Sequence, residues 1–277
     1  GAPVAQVIFS FGAKEAILSL GWRFAMQLLA VVVFGAMLAA ALLAKREPER
    51  YGIEKFRNLY SEDKQYFWPT LKAFKTWPAI GVTIAFLTSM MAEFTIWSQA
   101  VNYWDQGSGL SFSRATHLYI LIGIFGLITM PVMGKVQDMI VTRSSNEPKG
   151  RKKALVLAPS IGVIACILML LTSSIIIAGI LASFSFAVYW AIEPGGAAGY
   201  VGTVFGKRNM GHLWGFATLW SMGVGPFLGS YIGGHLFTWT GVYDYTILFA
   251  MGLFLISALL AMTLPEEYLG VKDPEGL

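Results

Sequence analysis

Seven apolar stretches of 18 residues or more dominate the chain, at roughly residues 24–43, 80–104, 115–133, 154–171, 174–204, 213–236 and 245–264. A run of that length reads as a membrane-spanning helix, because about 20 helical residues cross the hydrocarbon core. Within lipid the backbone must satisfy its own hydrogen bonds, so the expected fold is an all-α, polytopic membrane protein with seven transmembrane helices. Composition closes the other routes. The chain is 56% hydrophobic and 13% charged, against about 45–50% and about 25% for a soluble domain. Too little polar surface remains to cover a water-soluble globule, which excludes a soluble enzyme, a coiled coil and a disordered tail. The single cysteine, Cys166, permits no intrachain disulfide and no cysteine metal cluster. His117, His212 and His235 are not spaced as a metal site, and no cofactor is expected. A shorter apolar piece, 2–11, is too short to span. Because the chain opens on Gly1 inside that piece, a truncated or processed chain is expected.

The basic residues set topology. Lys45, Arg46, Arg50, Lys55, Arg57, Lys64, Lys72 and Lys75 follow the first span, and Lys135, Arg143, Lys149, Arg151, Lys152 and Lys153 follow the third. With Lys207, Arg208 and Lys272 they make 17 of the 20 Lys and Arg residues on one side, against Lys14, Arg23 and Arg114 on the other. The rich side is expected to be cytoplasmic, which puts the C-terminus inside, in the plasma membrane. The net charge of +4 is then a topology signal, and no nucleic-acid partner is expected. In the long inner loop, 45–77, Ile53, Phe56 and Tyr60 recur at helical spacing, as in an amphipathic helix on the cytoplasmic face or a solvated linker.

The first, fourth and seventh spans carry no ionisable residue and suit a lipid-facing position. The other four hold the polar groups and are expected to enclose something polar. Gly225, Gly229 and Gly233 have GxxxGxxxG spacing, which lets helix backbones approach closely, and Pro226 within them suggests a bend. Pro194-Gly195-Gly196 makes a similar weak point in the fifth span. Glu93 and Glu193 are acids inside spans. A charge at the bilayer centre costs at least about 2.5–3.5 kcal/mol, so such groups mark function by default. Each is a candidate proton or cation site; the competing reading is that each caps a broken helix. Trp97 lies one turn from Glu93, and Thr95, Gln99 and Asn102 make a second stripe, a pattern suited to a small polar solute. Trp190, Trp214 and Trp220 sit deep enough to line the same cavity, whereas Trp104 and Trp239 suit the interfacial belt.

Several segments resemble the major facilitator superfamily of secondary transporters, as its second half. Gly21-Trp22-Arg23 resembles the start of the family's helix 6, and Pro48-Glu49 stands where its central loop begins. Gly134-Lys135-Val136-Gln137-Asp138, with Gly150-Arg151-Lys152-Lys153, resembles the cytoplasmic signature G-x-L-x-D-R-x-G-R-R between helices 8 and 9. Residues 211–243, with GPFLGSYIGG and Thr240-Gly241-Val242-Tyr243, resemble helix 11 and its exit. The resemblance implies helices 6–12, of which 6, 9 and 12 face lipid. It implies a gate at Gly134, Asp138, Arg151 and Lys152, and it implies a missing N-terminal half. It divides the chain into 1–44 (end of helix 5, outer loop and helix 6), a central loop 45–76, a six-helix bundle 77–265 and a cytoplasmic tail 266–277. Two departures stand out: Met139 replaces the basic residue after Asp138, and about ten residues separate the halves of the signature. The style of helices 10–11 is nearest the monocarboxylate and oxalate/formate group. Gly126 and Met130, however, stand where monocarboxylate transporters carry an aspartate and an arginine.

The function expected is alternating-access transport of a small polar solute or organic ion, coupled to a proton or another cation. The alternative is a seven-helix receptor or a non-transporting membrane protein. Without G-x-S-x-G, H-E-x-x-H or paired intramembrane aspartates, an enzyme is not expected.

Overall fold

A computed structural model describes residues 2–43, 66–272 and 274. Lys45, Arg46, Arg50, Lys55, Arg57 and Lys64, the Pro48-Glu49 pair and the spacing of Ile53, Phe56 and Tyr60 lie outside the described residues. Contacts divide the chain into two compact units, one of Gly1–Val4 with Gln65–Leu277 and one of Ala5–Lys64.

At the N-terminal end, α1 (Ala2–Leu20) and α2 (Trp22–Leu43) meet at Gly21, whose φ of +81° ends the first helix. The apolar piece at 2–11 lies in the first half of a 19-residue helix. The helix runs on through Lys14 and Glu15, which pair at 4.0 Å. α2 buries only Ala25 along its 22 residues, as its uniformly apolar sequence suits.

The larger unit is a helical bundle. A one-turn α3 (Thr70–Ala73) precedes α4 (Trp77–Asn102), which runs into a π-helical turn at Tyr103–Gly107. Then come α5 (Phe112–Thr142), α6 (Glu147–Leu170), α7 (Ile176–Val204), α8 (Lys207–Ser221), α9 (Val224–Thr240) and α10 (Asp244–Met262). Among the described residues, six helices are long and apolar enough to cross a membrane: α2, α4 with its π turn, α5, α6, α7 and α10.

The sixth expected span, 213–236, is instead built from two helices that meet at Met222 and Gly223. Pro226 explains the break. It has no N–H to offer the Met222 carbonyl four residues earlier, and its ring crowds that carbonyl, whereas the opening turn of a helix takes a proline without loss. Pro194, by contrast, does not break α7, which runs unbroken across the expected weak point. Gly195 and Gly196 lie close under the buried Gln137 side chain of α5, so a neighbouring helix covers the loosened turn.

α4 packs on α9 and α10, α6 on α7 and α10, and α5 on α7. The seam between α4 and α9 is backbone against backbone. A Cβ on Gly229 would stand 2.1 Å from the Met91 carbonyl oxygen, and one on Gly225 would stand 3.0 Å from the Met90 Cβ. Thr95 Oγ1 crosses the seam to donate to the Gly229 carbonyl at 2.9 Å. The opposite face of α9 carries an exposed aromatic ladder, Phe227, Tyr231, His235 and Trp239, with successive ring centroids 6.0, 6.1 and 6.4 Å apart.

One end of the bundle is tied by its two chain ends. Tyr66 N–H donates to Gly270 O at 2.9 Å, and Leu269 and Gly270 N–H both donate to Val204 O. Asn209, wholly buried, fills the middle: its amide oxygen accepts from Trp68 N–H, and its amide nitrogen donates to the carbonyls of Tyr66 and Phe205. The Trp68 indole donates to Leu269 O at 3.1 Å. Glu266 reaches Lys152 at 3.3 Å and Lys149 at 3.6 Å. Desolvation is the largest single influence and works against its charge, but the hydrogen bonds and charges of Lys152 and Lys149 together prevail and hold its carboxyl below the ordinary range. The tie therefore stays charged at neutral pH and is lost only as the pH falls through that lowered value.

Replacing Asn209 with Ala takes away the partner of the Trp68 N–H and of the Phe205 carbonyl in a buried place. The expected loss is about 1–3 kcal/mol for each orphaned group, read as a lower melting temperature in detergent. An unchanged melting temperature would show that the tie carries no stability.

Candidate functional site

Helical spacing aligns Ser89, Glu93 and Trp97 on one face of α4, at i, i+4 and i+8. Tyr189 and Glu193 align in the same way on α7. Where these faces meet, the polar groups form a connected set. Trp97 Nε1 donates to Glu93 Oε1 at 2.9 Å, and Tyr189 Oη donates to Glu93 Oε2 at 3.0 Å. With the phenol proton on Glu93, the Ser89 hydroxyl donates to the phenol oxygen, 2.9 Å away. Ser89 also faces the Glu193 carboxyl, whose Oε2 is buried without a hydrogen-bond partner. Glu93 is 4% exposed and Glu193 1%. No lysine or arginine pairs with either among the described residues.

Aromatic rings wall one side of this set. Trp97 meets Tyr119, Phe186 and Trp190 edge to face, with centroids 5.4, 5.5 and 5.3 Å away. Beneath them Tyr189 meets Phe254 of α10 at 4.8 Å. Trp97, Tyr119 and Trp190 are only part-buried, so the box has an accessible side.

Four of the expected binding residues, Glu93, Trp97, Trp190 and Glu193, thus come together. The others lie elsewhere. Gln99 lies over Gly233 and Gly234 in the α4–α9 seam, and Asn102 is exposed at the end of α4. The Thr95, Gln99, Asn102 stripe is displaced around the helix from Glu93, because residues six and nine positions on return about 120° and 180° away. Trp214 packs on Phe86 at 5.2 Å, about two turns along α4 from Glu93, and Trp220 is exposed on α8. Trp104 does not suit the interfacial belt: it is 1% exposed inside the π turn, and its indole nitrogen is buried without a partner. Tyr189, which sequence reasoning passed over, is the group that links the two helices. Its only signal is its place one turn before Glu193.

The expected gate is spread along two helices. Gly134 and Asp138 lie within α5, both exposed. Arg151 pairs with Glu147 at 3.3 Å, and Glu147 also accepts from Thr203 of α7 at 3.0 Å. Lys152 is taken by Glu266. Among the described residues Asp138 makes no ion pair with Arg143, Arg151 or Lys152, the basic residues that could partner it.

No curated protein matches the chain. A family model does match residues 1–222, most of the sequence and every helix through α8. Long apolar helices packed in a bundle, with acids buried between them, agree with that match, and the chain belongs to the Major Facilitator Superfamily.

Proposed function

We propose that this chain supplies one bundle of a secondary active transporter, in which Glu93 carries a coupling proton and the box of Trp97, Tyr119 and Trp190 binds the solute. The observation that carries the reading is Glu93 itself, buried between two helices, held by Trp97 and Tyr189, and without a cationic partner among the described residues. Both of its oxygens accept hydrogen bonds, the arrangement of an ionised carboxylate. Tyr189 can donate or accept, so a rotation of its hydroxyl serves the protonated state as well. Glu193, beside Ser89 and one turn from Tyr189, is the second stop for a proton. The solute is a small polar molecule: rings supply most of its contact surface, and a few polar groups fix its orientation. Alternating access follows from rocking this bundle against another around the site. The bundle runs from Trp77 to residue 265, with the basic end and the tail on the cytoplasmic side of the plasma membrane.

The test is a panel of solutes in proteoliposomes carrying the intact transporter, with and without a pH gradient. At least one solute should accumulate only when the gradient is present. Accumulation of none, or accumulation indifferent to the gradient, would overturn the proton-coupled reading.

A further inference from the structure

A cavity of about 320 Å³ opens on the outer face of α6, away from the acid cluster. Lys149, Lys152 and Lys153 rim it, together with Glu266. Its wall is apolar, formed by Val156 and Leu157, and Ser160 closes it. Three ammonium groups against one carboxylate leave the rim positive. Lys153 meets only a neutral partner among the described residues, the Ser144 hydroxyl at 3.2 Å. The lysine stems stand around a hollow: the Lys152 side chain keeps 20% of its exposure, Lys149 keeps 40%, and Lys153 stays exposed at the rim.

Below the cavity the same face of α6 stays apolar and uncovered. From Lys153 the spacing runs through Leu157 and Ser160 to Ile164, Ile167 and Leu171, in steps of three and four. The last three are 51%, 46% and 47% exposed. Ile164 lies about 16 Å along the axis from Lys153, close to one leaflet of a hydrocarbon core about 30 Å thick. A positive rim above a long apolar stripe matches an amphiphile with an anionic head. A free anion in water would gain nothing from the stripe.

We propose that this cavity docks the phosphate of an anionic glycerophospholipid, whose acyl chains lie along the Ile164–Ile167–Leu171 stripe. Basic recesses between helices at a membrane surface hold such head groups, and each lysine there is worth about a fivefold change in binding.

The test is native mass spectrometry of the detergent-purified chain with phosphatidylglycerol and phosphatidylcholine of identical acyl chains. Phosphatidylglycerol should be retained in preference. Lys153→Gln, which breaks no ion pair among the described residues, should weaken retention about fivefold. Glu266→Gln should strengthen it by a similar factor, a gain that a merely destabilised protein cannot show. Equal retention of the two lipids, or no change in Lys153→Gln, would overturn the proposal. So would inorganic phosphate alone displacing phosphatidylglycerol, since that would make the site one for a free anion.

Discussion

Glu93→Gln should abolish concentrative uptake while leaving solute exchange in place. Glutamine keeps the volume of the side chain, accepts from Trp97 as the carboxylate does, and offers its amide N–H to the Tyr189 oxygen, so the α4–α7 junction survives. What it cannot do is take up and release a proton. One pH unit is worth about 1.36 kcal/mol per proton, so a transporter that couples one proton to one neutral solute supports about tenfold accumulation across a one-unit gradient. In proteoliposomes the Glu93→Gln protein should level off at a ratio of about one, while counterflow of labelled solute continues. Tyr189→Phe makes a useful partner. It removes the hydroxyl that serves both states of Glu93 but leaves the acid, so the approach to the plateau slows and the plateau keeps its height. A tenfold plateau in Glu93→Gln would remove Glu93 from the coupling step.

The second large effect belongs to Gly229. An alanine there places its methyl 2.1 Å from the Met91 carbonyl oxygen and within 3.0 Å of the Met91 Cα and carbonyl carbon, all backbone atoms that no rotamer change can move. The substitution must push α4 and α9 apart, and separation also lengthens the hydrogen bond from Thr95 to the Gly229 carbonyl. Overpacking of this kind costs about 1–3 kcal/mol, and the lost interhelical hydrogen bond adds about 0.6 kcal/mol. Gly229→Ala should therefore lower the melting temperature in detergent clearly, and Thr95→Val should reproduce only the smaller part. Gly225→Ala should fall between them, because its nearest obstacle, the Met90 Cβ, stands farther off at 3.0 Å. If Gly229→Ala melts with the parent protein, the two helices are not in the contact described.

The helices were readable because length and apolarity are local properties. The junction at Met222–Gly223 was hidden, since residues 213–236 stay apolar across it; Pro226 was its one visible mark, and a proline permits either a bend or a restart. The site was half legible. Glu93 with Trp97 announces itself as an acid and an indole one turn apart. Assigning Gln99 and Asn102 to the same cavity fails because a stripe read from sequence has a direction around its helix but no reference to the neighbours. Tyr189 and Asn209 escaped notice for a related reason. A tyrosine in an apolar run reads as packing and an asparagine near a helix start reads as a cap, and only the partners brought by the fold give them their roles.

The tie between Tyr66 and Gly270 has a topological consequence. Where the bundle's chain enters and where it leaves are hydrogen-bonded neighbours, so this part of the molecule is almost a closed loop with one nick. A short linker from the residues after Gly270 to those before Tyr66 would seal it, and the chain could be reopened at the exposed turn around Gly109, whose surroundings are empty. Such a circular permutant should fold to the same helix packing, which would make the order of these helices along the chain separable from their arrangement in space.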